Sequence, residues 1–377
     1  KPPLQQKVFI SQVDRGVERM SKLSYCIFRV NRLRWYLVVL SLIIFLILLV
    51  QFVHFIIVPA NSSGVLTTIN IPPGASFKKV SNILYEKHII KHRLDFKLLA
   101  YIMGATHSLK YGEYLLSSSM RPMIILEKLL SGEVVLHEVT IPEGYTDEDI
   151  AQTLYQKGLL TNINEFMELT RDKSFIASLD ITAPTLEGFL YPDTYKLSKG
   201  LSPKEIIKKM VDQFKLIYTP QLQQRAKEMG MSMLQVVTLA SMIEKETSVP
   251  SERFLISAVF HNRLKLGMRL QSDPTVIYAL HITNDVITKA DLRKKNPYNT
   301  YTNYGLPPGP ICNPGSESII AALYPANVKY LYFVANNDGS HVFTRTLKEH
   351  NYYVNLYQRQ RYKGDKYVEK LHNEHSK

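Results

Sequence analysis

The chain has 377 residues with 46 Lys or Arg against 33 Asp or Glu, so its formal net charge is +13. This charge suits an anionic polymer or a membrane surface, and because no basic run carries interleaved aromatic residues, a nucleic-acid partner is not expected. The two cysteines, Cys26 and Cys312, are too few for a cysteine-based metal site.

The first predicted element is a membrane-spanning helix over residues 36–58. These residues carry no formal charge, and about 20 apolar residues cross a hydrocarbon core. Residues 1–35 hold eight Lys or Arg against Asp14 and Glu18, a net of +6. The positive-inside rule therefore predicts a cytoplasmic N-terminus and an external domain after Pro59, which separates Cys26 from Cys312. The alternative is a buried core helix.

An internal repeat with an offset of 70 residues follows. Ile71-Pro-Pro-Gly74 matches Ile141-Pro-Glu-Gly144, and Leu84-Tyr-Glu-Lys87 matches Leu154-Tyr-Gln-Lys157. Each copy predicts a short strand, a Pro-Gly turn, an amphipathic helix and a second helix. The first copy, with a strand over 109–116 and a helix over 123–130, predicts a small α+β module over residues 65–135.

The second copy leads into a larger α+β domain over residues 136–360, with a charged tail over 361–377. The predicted helices cover residues 202–214, 251–266 and 316–323, besides an apolar helix that ends near residue 246, and a hairpin pairs 330–335 with 341–344. A loop over 305–315 is rich in Gly and Pro. Such a loop is either functional or a structural crossover, and the sequence leaves both open.

Glu244 is the first candidate for acid–base chemistry. Residues 234–243 are apolar nearly all round, which predicts a largely buried helix. Glu244 shares the face of Ala240 and Val237, and it falls in the last turn before Pro250, where the helix dipole disfavours negative charge. Desolvation and an unfavourable dipole raise a carboxyl pKa, which lets a glutamate serve as a general acid near neutral pH. The alternative is a solvated glutamate at a helix end.

Many long motifs, in the right order from about residue 33 to about residue 357, make the chain similar to the endolytic murein transglycosylases of the YceG-like family. The motifs are Val139-Thr-Ile-Pro-Glu-Gly144, Glu187-Gly-Phe-Leu-Tyr-Pro-Asp-Thr-Tyr195, Leu239-Ala-Ser-Met-Ile-Glu-Lys-Glu-Thr247, Phe260-His-Asn-Arg-Leu264, Met268-Arg-Leu-Gln-Ser-Asp-Pro274, Tyr298-Asn-Thr-Tyr301, Gly305-Leu-Pro-Pro-Gly-Pro-Ile-Cys-Asn-Pro-Gly315, Tyr330-Leu-Tyr-Phe-Val-Ala335 and Gly339-Ser-His-Val-Phe343. Two departures are Phe189, where the family usually has Trp, and His261, where an apolar residue is expected.

The resemblance implies a single transmembrane helix in the bacterial inner membrane, a LysM-like α+β module and a periplasmic YceG-like α+β catalytic domain. It implies cleavage of MurNAc–GlcNAc bonds within nascent peptidoglycan strands, which terminates glycan polymerisation. The implied partners are glycan strands, the inner membrane and cell-wall synthases (penicillin-binding proteins). No cofactor and no metal are implied.

The family's catalytic glutamate maps onto Glu244. Hydrolytic glycosidases generally need two carboxylates, whereas a lytic transglycosylase can use one, because the muramyl 6-hydroxyl is an intramolecular nucleophile. Because a desolvated carboxyl opposed by a helix dipole destabilises its fold, Glu244→Gln is expected to leave the stability unchanged or raise it. Glu246, on a different face of the helix, is expected to matter far less.

Other site residues each have a structural alternative. Gln271 and Asp273 are candidates for orienting Glu244 or binding sugar hydroxyls, and Asp273 could equally cap a helix that starts at Pro274, which is slightly favoured. Tyr191 and Tyr195 either stack on sugar rings or pack in the core. Asn313 offers an amide for N-acetyl recognition, and a turn-forming role fits it as well.

Two other functional classes remain open at this point. A muramidase would share the site but release reducing ends. A non-catalytic glycan-binding scaffold would use the first module and the anchor to recruit synthases.

Overall fold

A computed structural model describes residues 34–359 apart from 107, 284, 285 and 337. The basic N-terminal segment with Cys26 and the charged C-terminal tail lie outside the described residues. The chain forms two compact units, which divide between Val134 and Val135. The described part combines helices with three two-stranded antiparallel sheets, which confirms the predicted mixture of helix and sheet.

Helix α1 (Arg34–Ile57) is long and apolar enough to cross a membrane. Its 24 residues reach a mean hydropathy of 3.0 over the most apolar window, and none of that window is buried in the protein. Its last turns contact the first unit, because Phe55 belongs to that unit's core while Phe52 and Ile56 pack against it. The helix nearly coincides with the span predicted from the sequence.

Besides the end of α1, five elements surround the core of the first unit, β1 (Thr67–Ile71), α2 (Phe77–Glu86), α3 (Arg93–Ile102), β2 (Gly112–Leu116) and α4 (Pro122–Ser131). Strands β1 and β2 pair antiparallel with Ile69 opposite Tyr114. The hydroxyl of Ser76 accepts a hydrogen bond from the backbone of Lys79 and so begins α2. The predicted stripe of α2, Phe77, Val80 and Leu84, is buried.

The second unit contains ten α-helices and four strands within the described residues. In chain order they are β3 (His137–Thr140), α5 (Asp147–Gln156), α6 (Ile163–Leu169), α7 (Lys173–Ser178), β4 (Thr194–Leu197), α8 (Pro203–Ile217), α9 (Pro220–Glu228), α10 (Met233–Glu246), α11 (Arg253–Lys265), α12 (Asp273–Leu280), α13 (Ser316–Leu323), β5 (Tyr332–Ala335), β6 (His341–Thr344) and α14 (Leu347–Val354). Short 3-10 turns cover Pro250–Glu252 and Asp291–Arg293, and a π turn covers Asn355–Arg359.

The internal repeat is confirmed by matching structures. Helix α5 starts 70 residues after α2, and in both copies the strand before these helices pairs antiparallel with a strand after them. Thr146 caps α5 as Ser76 caps α2, in this case with a full capping box. The turn glycines Gly74 and Gly144 have φ of 69° and 80°, a left-handed conformation that favours glycine. Similar local sequences therefore give the same strand–turn–helix geometry twice.

Helix α10 forms the centre of the second unit's core. Residues 236–243 are all buried, so truncating one of them, as in Leu239→Ala, should cost about 2–5 kcal/mol. The Gly/Pro-rich loop lies against this helix, because the Ile311 N–H donates to Ser241 Oγ (3.0 Å) and Cys312 Sγ donates to the Ser241 carbonyl (3.4 Å). This docking brings Gly315, at the start of α13, to the carboxyl end of α10.

Candidate active site

Glu244 lies in the last turn of α10 with both carboxylate oxygens engaged. Arg253 Nη2 lies 3.3 Å from Oε1, and the Gly315 N–H donates to Oε2 at 3.0 Å. The side chain is only 7 % exposed. The burial expected from the helix pattern is therefore present, but the carboxylate also has two donors that the pattern did not reveal.

Arg253, the first residue of α11, bridges two carboxylates. Its side chain is 9 % exposed, and Nη2 lies 3.7 Å from Glu143 Oε2 as well as close to Glu244. Loss of solvent raises the pKa of Glu143, the charge of Glu244 raises it further, and Arg253 acts in the opposite direction. Glu143 is thus a second carboxyl group at the site.

The residue before Arg253 fixes the turn that carries it. Glu252 is buried and accepts hydrogen bonds from the Thr247 hydroxyl (3.2 Å) and the His341 N–H (2.8 Å), while His341 Nδ1 lies 2.7 Å from its Oε2. These contacts tie the α10–α11 turn to the start of β6. The position of Arg253 therefore does not depend on its carboxylate partners alone.

Gly315 lies where the two glutamates meet. A Cβ at this position would lie 1.8 Å from Glu143 Oε1, so a larger residue would have to push the Glu143 side chain away. The Gly144 N–H donates to the Asn313 carbonyl at 2.9 Å, which joins the loop of Glu143 to the loop of Gly315. The glycine therefore permits a close approach of one carboxyl group while its N–H binds the other.

Asn313 is completely buried, and its side chain holds three segments together. Its Oδ1 accepts from the Leu190 N–H (2.8 Å), and its Nδ2 reaches Tyr145 O (3.1 Å), Asp147 Oδ1 (3.1 Å) and Glu187 Oε1 (3.3 Å). With these partners and no exposure, the amide is not available to a sugar. This placement supports the structural alternative for Asn313, as an anchor of the loop that leads to Gly315.

The two carboxyl groups that Asn313 contacts have few counter-charges. Burial raises the pKa of Asp147 to about 7, although the hydrogen bond from Asn313 acts to lower this pKa. Burial and the neighbouring Asp147 charge raise the pKa of Glu187 well above its usual range. The Tyr278 hydroxyl donates to Glu187 Oε2 at 3.3 Å. A proton held by this pair therefore removes the repulsion between two buried negative charges.

Glu246 is more constrained than its helix position suggested. It faces away from Glu244, but it is partly buried, and Ser272 Oγ donates to its Oε1 at 2.5 Å. Burial raises the pKa of Glu246 to about 7, and the charge of Asp273 adds to this. Glu246 is therefore unsuitable as a control for Glu244.

Gln271 and Asp273 are exposed at the start of α12, where a polysaccharide could reach them. Gln271 has a φ of 51°, and its N–H donates to the Thr300 carbonyl. Asp273 is the first helical residue, and the residue in the N-cap position is Ser272, so the predicted capping role of Asp273 is wrong. The Asp273 carboxylate instead accepts from the Tyr301 hydroxyl at 2.5 Å.

Tyr191 and Tyr195 lie mainly in the core. Tyr191 is 8 % exposed, Tyr195 is half-buried, and the Tyr195 hydroxyl donates to the Tyr191 carbonyl at 2.5 Å. Burial is the largest cause of the raised pKa of each phenol. This packing supports the core alternative more than sugar stacking.

Sequence reasoning missed Glu143, Arg253 and Gly315 as members of the site. One signal was available for Glu143, since Pro73 occupies the equivalent place in the first copy of the repeat and the motifs otherwise agree. Within the described residues, no cluster of three or more His, Cys, Asp or Glu side chains could hold a metal ion. The arrangement can donate and accept a proton at Glu244 between two fixed donors.

Comparison with known proteins decides the family. Residues 69–356 match the sequence profile of the YceG-like family. The chain belongs to the YceG-like family. It is 36 % identical over 307 residues to an endolytic murein transglycosylase of Bacillus subtilis, an alignment that covers 77 % of this chain and 84 % of that protein.

Two further proteins are similar to this chain. An endolytic murein transglycosylase of Streptococcus pneumoniae is 30 % identical over 328 residues, which cover 78 % of this chain and 58 % of that protein. A crystal structure of a YceG-like protein from Listeria monocytogenes is 37 % identical with a TM-score of 0.53, and the match covers 77 % of this chain and 99 % of that one.

Proposed function

We propose that this YceG-like protein is a lytic murein endotransglycosylase with Glu244 as its catalytic acid and base. The observation that carries the proposal is a buried carboxylate held by Arg253 and the Gly315 N–H in a chain similar to enzymes named endolytic murein transglycosylases. The substrate is the MurNAc–GlcNAc bond within a peptidoglycan strand. Cleavage of nascent strands would end their polymerisation.

The reaction needs one proton-exchanging group. Protonated Glu244 donates to the glycosidic oxygen as the bond between C1 of MurNAc and that oxygen breaks. The 6-hydroxyl of the same MurNAc attacks C1 and forms the 1,6-anhydro ring, and its proton returns to Glu244. No water is consumed. Because the nucleophile belongs to the substrate, its positioning cost is small.

Arg253 and Gly315 stabilise Glu244 at the moment when it is a carboxylate. Both donors are held by the protein, one by the turn at Glu252 and the other by the loop anchored at Asn313. Donors fixed in this way need not reorganise as charge develops, which lowers the barrier. Gln271 and Asp273 are proposed sugar-binding residues because they are exposed at the start of α12, on either side of Ser272, whose hydroxyl donates to Glu246 in the last turn of α10.

One observation supports the muramidase alternative: Glu143 places a second carboxyl group close to Glu244. A hydrolase uses such a group as nucleophile or to activate water. However, Glu143 contacts the same guanidinium nitrogen that binds Glu244, and its carboxyl group lies against Gly315, so Glu143 shares the protein groups that hold Glu244. This favours a supporting role for Glu143.

Digestion of purified sacculi by the full-length protein, followed by mass spectrometry, separates the alternatives. A transglycosylase releases fragments with 1,6-anhydroMurNAc ends, whereas a muramidase releases reducing ends. A non-catalytic scaffold, which would bind glycan and recruit synthases, releases neither. Reducing ends as the only new ends would overturn the proposal.

The anchor and the first module belong to the same proposal. Helix α1 and the net charge of +6 on residues 1–35 support a single-pass protein of the inner membrane with a cytoplasmic N-terminus and a periplasmic catalytic unit. A membrane-impermeant thiol reagent should label a cysteine introduced at Ser63 in spheroplasts but leave Cys26 unlabelled. The β1–α2–α3–β2 order with paired strands supports a LysM-like module that binds glycan.

A further inference from the structure

Helix α3 of the first unit is apolar on two opposite faces. Its inner face, Phe96, Leu99 and Ala100, is buried in the core. Its outer face consists of four large apolar side chains at helical spacing, which we call the α3 outer face: Leu94 (81 % exposed), Leu98 (46 %), Tyr101 (74 %) and Ile102 (64 %). A soluble surface helix normally carries polar residues there, so a contiguous apolar stripe indicates a contact surface.

The start of α3 lies beside the end of the apolar helix α1. A cavity of about 670 Å³ is lined by Gln51, His54 and Phe55 of α1 and by Lys91, His92 and Asp95 at the start of α3. The Phe55 and His92 rings lie 6.4 Å apart. Since residues 50–55 lie in the last turns of α1 and include the polar Gln51 and His54, an α1 that crosses a bilayer puts the start of α3 at the level of the lipid headgroups.

The charges around the stripe suit the same location. Lys91 and Lys97 are exposed beside the α3 outer face, and Asp95 is half-buried. Helices that lie in a membrane interface combine an apolar face that enters the headgroup region with Lys or Arg at its border. Cations next to the surface add attraction to anionic lipids.

We infer that the α3 outer face rests in the membrane interface, with Leu94, Leu98, Tyr101 and Ile102 among the lipids and Lys91 and Lys97 at the phosphates of anionic headgroups. The inference rests on the membrane anchor in the proposed function. Its consequence is that the first unit is held against the bilayer by α1 and α3 together, so it cannot swing freely on the end of α1.

Tryptophan quenching in vesicles tests the inference with the full chain. The sole tryptophan, Trp35, is first changed to Phe. A single tryptophan reporter is then introduced by Leu94→Trp on the α3 outer face or by Leu46→Trp in the middle of α1. The third reporter is Leu216→Trp on α8, where Leu216 is 72 % exposed. Each protein is reconstituted into vesicles of phosphatidylethanolamine and phosphatidylglycerol with brominated acyl chains, which quench only tryptophans that reach lipid.

The expected order of quenching is Leu46→Trp, then Leu94→Trp, with Leu216→Trp least affected, because an interfacial helix enters only about 5–10 Å. Acrylamide in the water should quench in the reverse order. Adding Lys97→Glu to Leu94→Trp should reduce the lipid quenching. The three reporter sites and Lys97 are all exposed, so these changes leave the cores intact.

Two results would overturn the inference. One is a Leu94→Trp protein that lipid does not quench, which would leave a protein or glycan partner as the occupant of the stripe. The other is equal quenching of Leu94→Trp and Leu216→Trp, which would mean unspecific adsorption. The Leu46→Trp signal decides the anchor independently, so failure of the anchor and failure of the α3 contact are distinguishable.

Discussion

Glu244→Gln tests the proposed chemistry most directly. Glutamine keeps the size of the side chain and one oxygen acceptor but cannot exchange a proton near neutral pH. General acid–base catalysis contributes about 10²–10⁴-fold, and one residue here serves both proton transfers, so the loss should lie at or beyond the upper end. The rate of anhydro-end formation from sacculi, measured by mass spectrometry, gives the magnitude.

The two donors around Glu244 set the expected change in stability. Glutamine has one oxygen for the two donors, Arg253 and the Gly315 N–H, so one contact is lost. The Arg253 guanidinium still has Glu143 as an ion-pair partner at 3.7 Å, so its positive charge is not left unpaired. A lost hydrogen bond to a charged group costs about 1.5–3 kcal/mol, and at about 2–4 °C per kcal/mol the melting temperature should fall by roughly 3–12 °C. The helix pattern alone predicted no fall.

Glu168→Gln is the matched control, because Glu168 is an exposed glutamate on α6 of the same unit. It should change neither the rate nor the melting temperature. Anhydro-end formation by Glu244→Gln at close to the wild-type rate would refute the assignment of the acid. An unchanged melting temperature would refute the donor contacts, even if the activity were lost.

Three further changes probe the surroundings of the site. Gly315→Ala should keep the fold, because φ is −76°, but lower activity by pushing Glu143 aside, which thermal melts and product assays can separate. For Glu246, the folded state binds the proton more tightly, so stability should fall as pH rises from about 4.5 to about 7, and Glu246→Gln should flatten that fall in melting curves across pH. Asn313→Ala leaves the Leu190 N–H unpaired and should cost about 1–3 kcal/mol in urea unfolding, and an unaffected midpoint would argue against the anchoring role.

Local patterns in the sequence were sufficient for several features of this protein. A long uncharged run predicts α1, a period-3.6 stripe predicts α2, and a run that is apolar nearly all round predicts α10. The repeat predicts two strand–turn–helix segments. Glu244 could be identified from the sequence for the same reason, since its place on an apolar helix follows from residues within two turns of it. Each of these features depends on neighbours along the chain.

The partners of Glu244 depend on the tertiary structure. Gly315 is 71 residues away from it, and the Asn313 contact to Asp147 that fixes the same loop spans 166 residues. No local periodicity in the sequence encodes which loop packs against which helix. The sequence also does not distinguish an asparagine that is buried from one that binds glycan. The sequence therefore identifies the carboxyl group that can carry the proton. Only packing decides that it is held by a guanidinium and a backbone N–H, because burial, charge and hydrogen-bond partners belong to the assembled core and not to the residue.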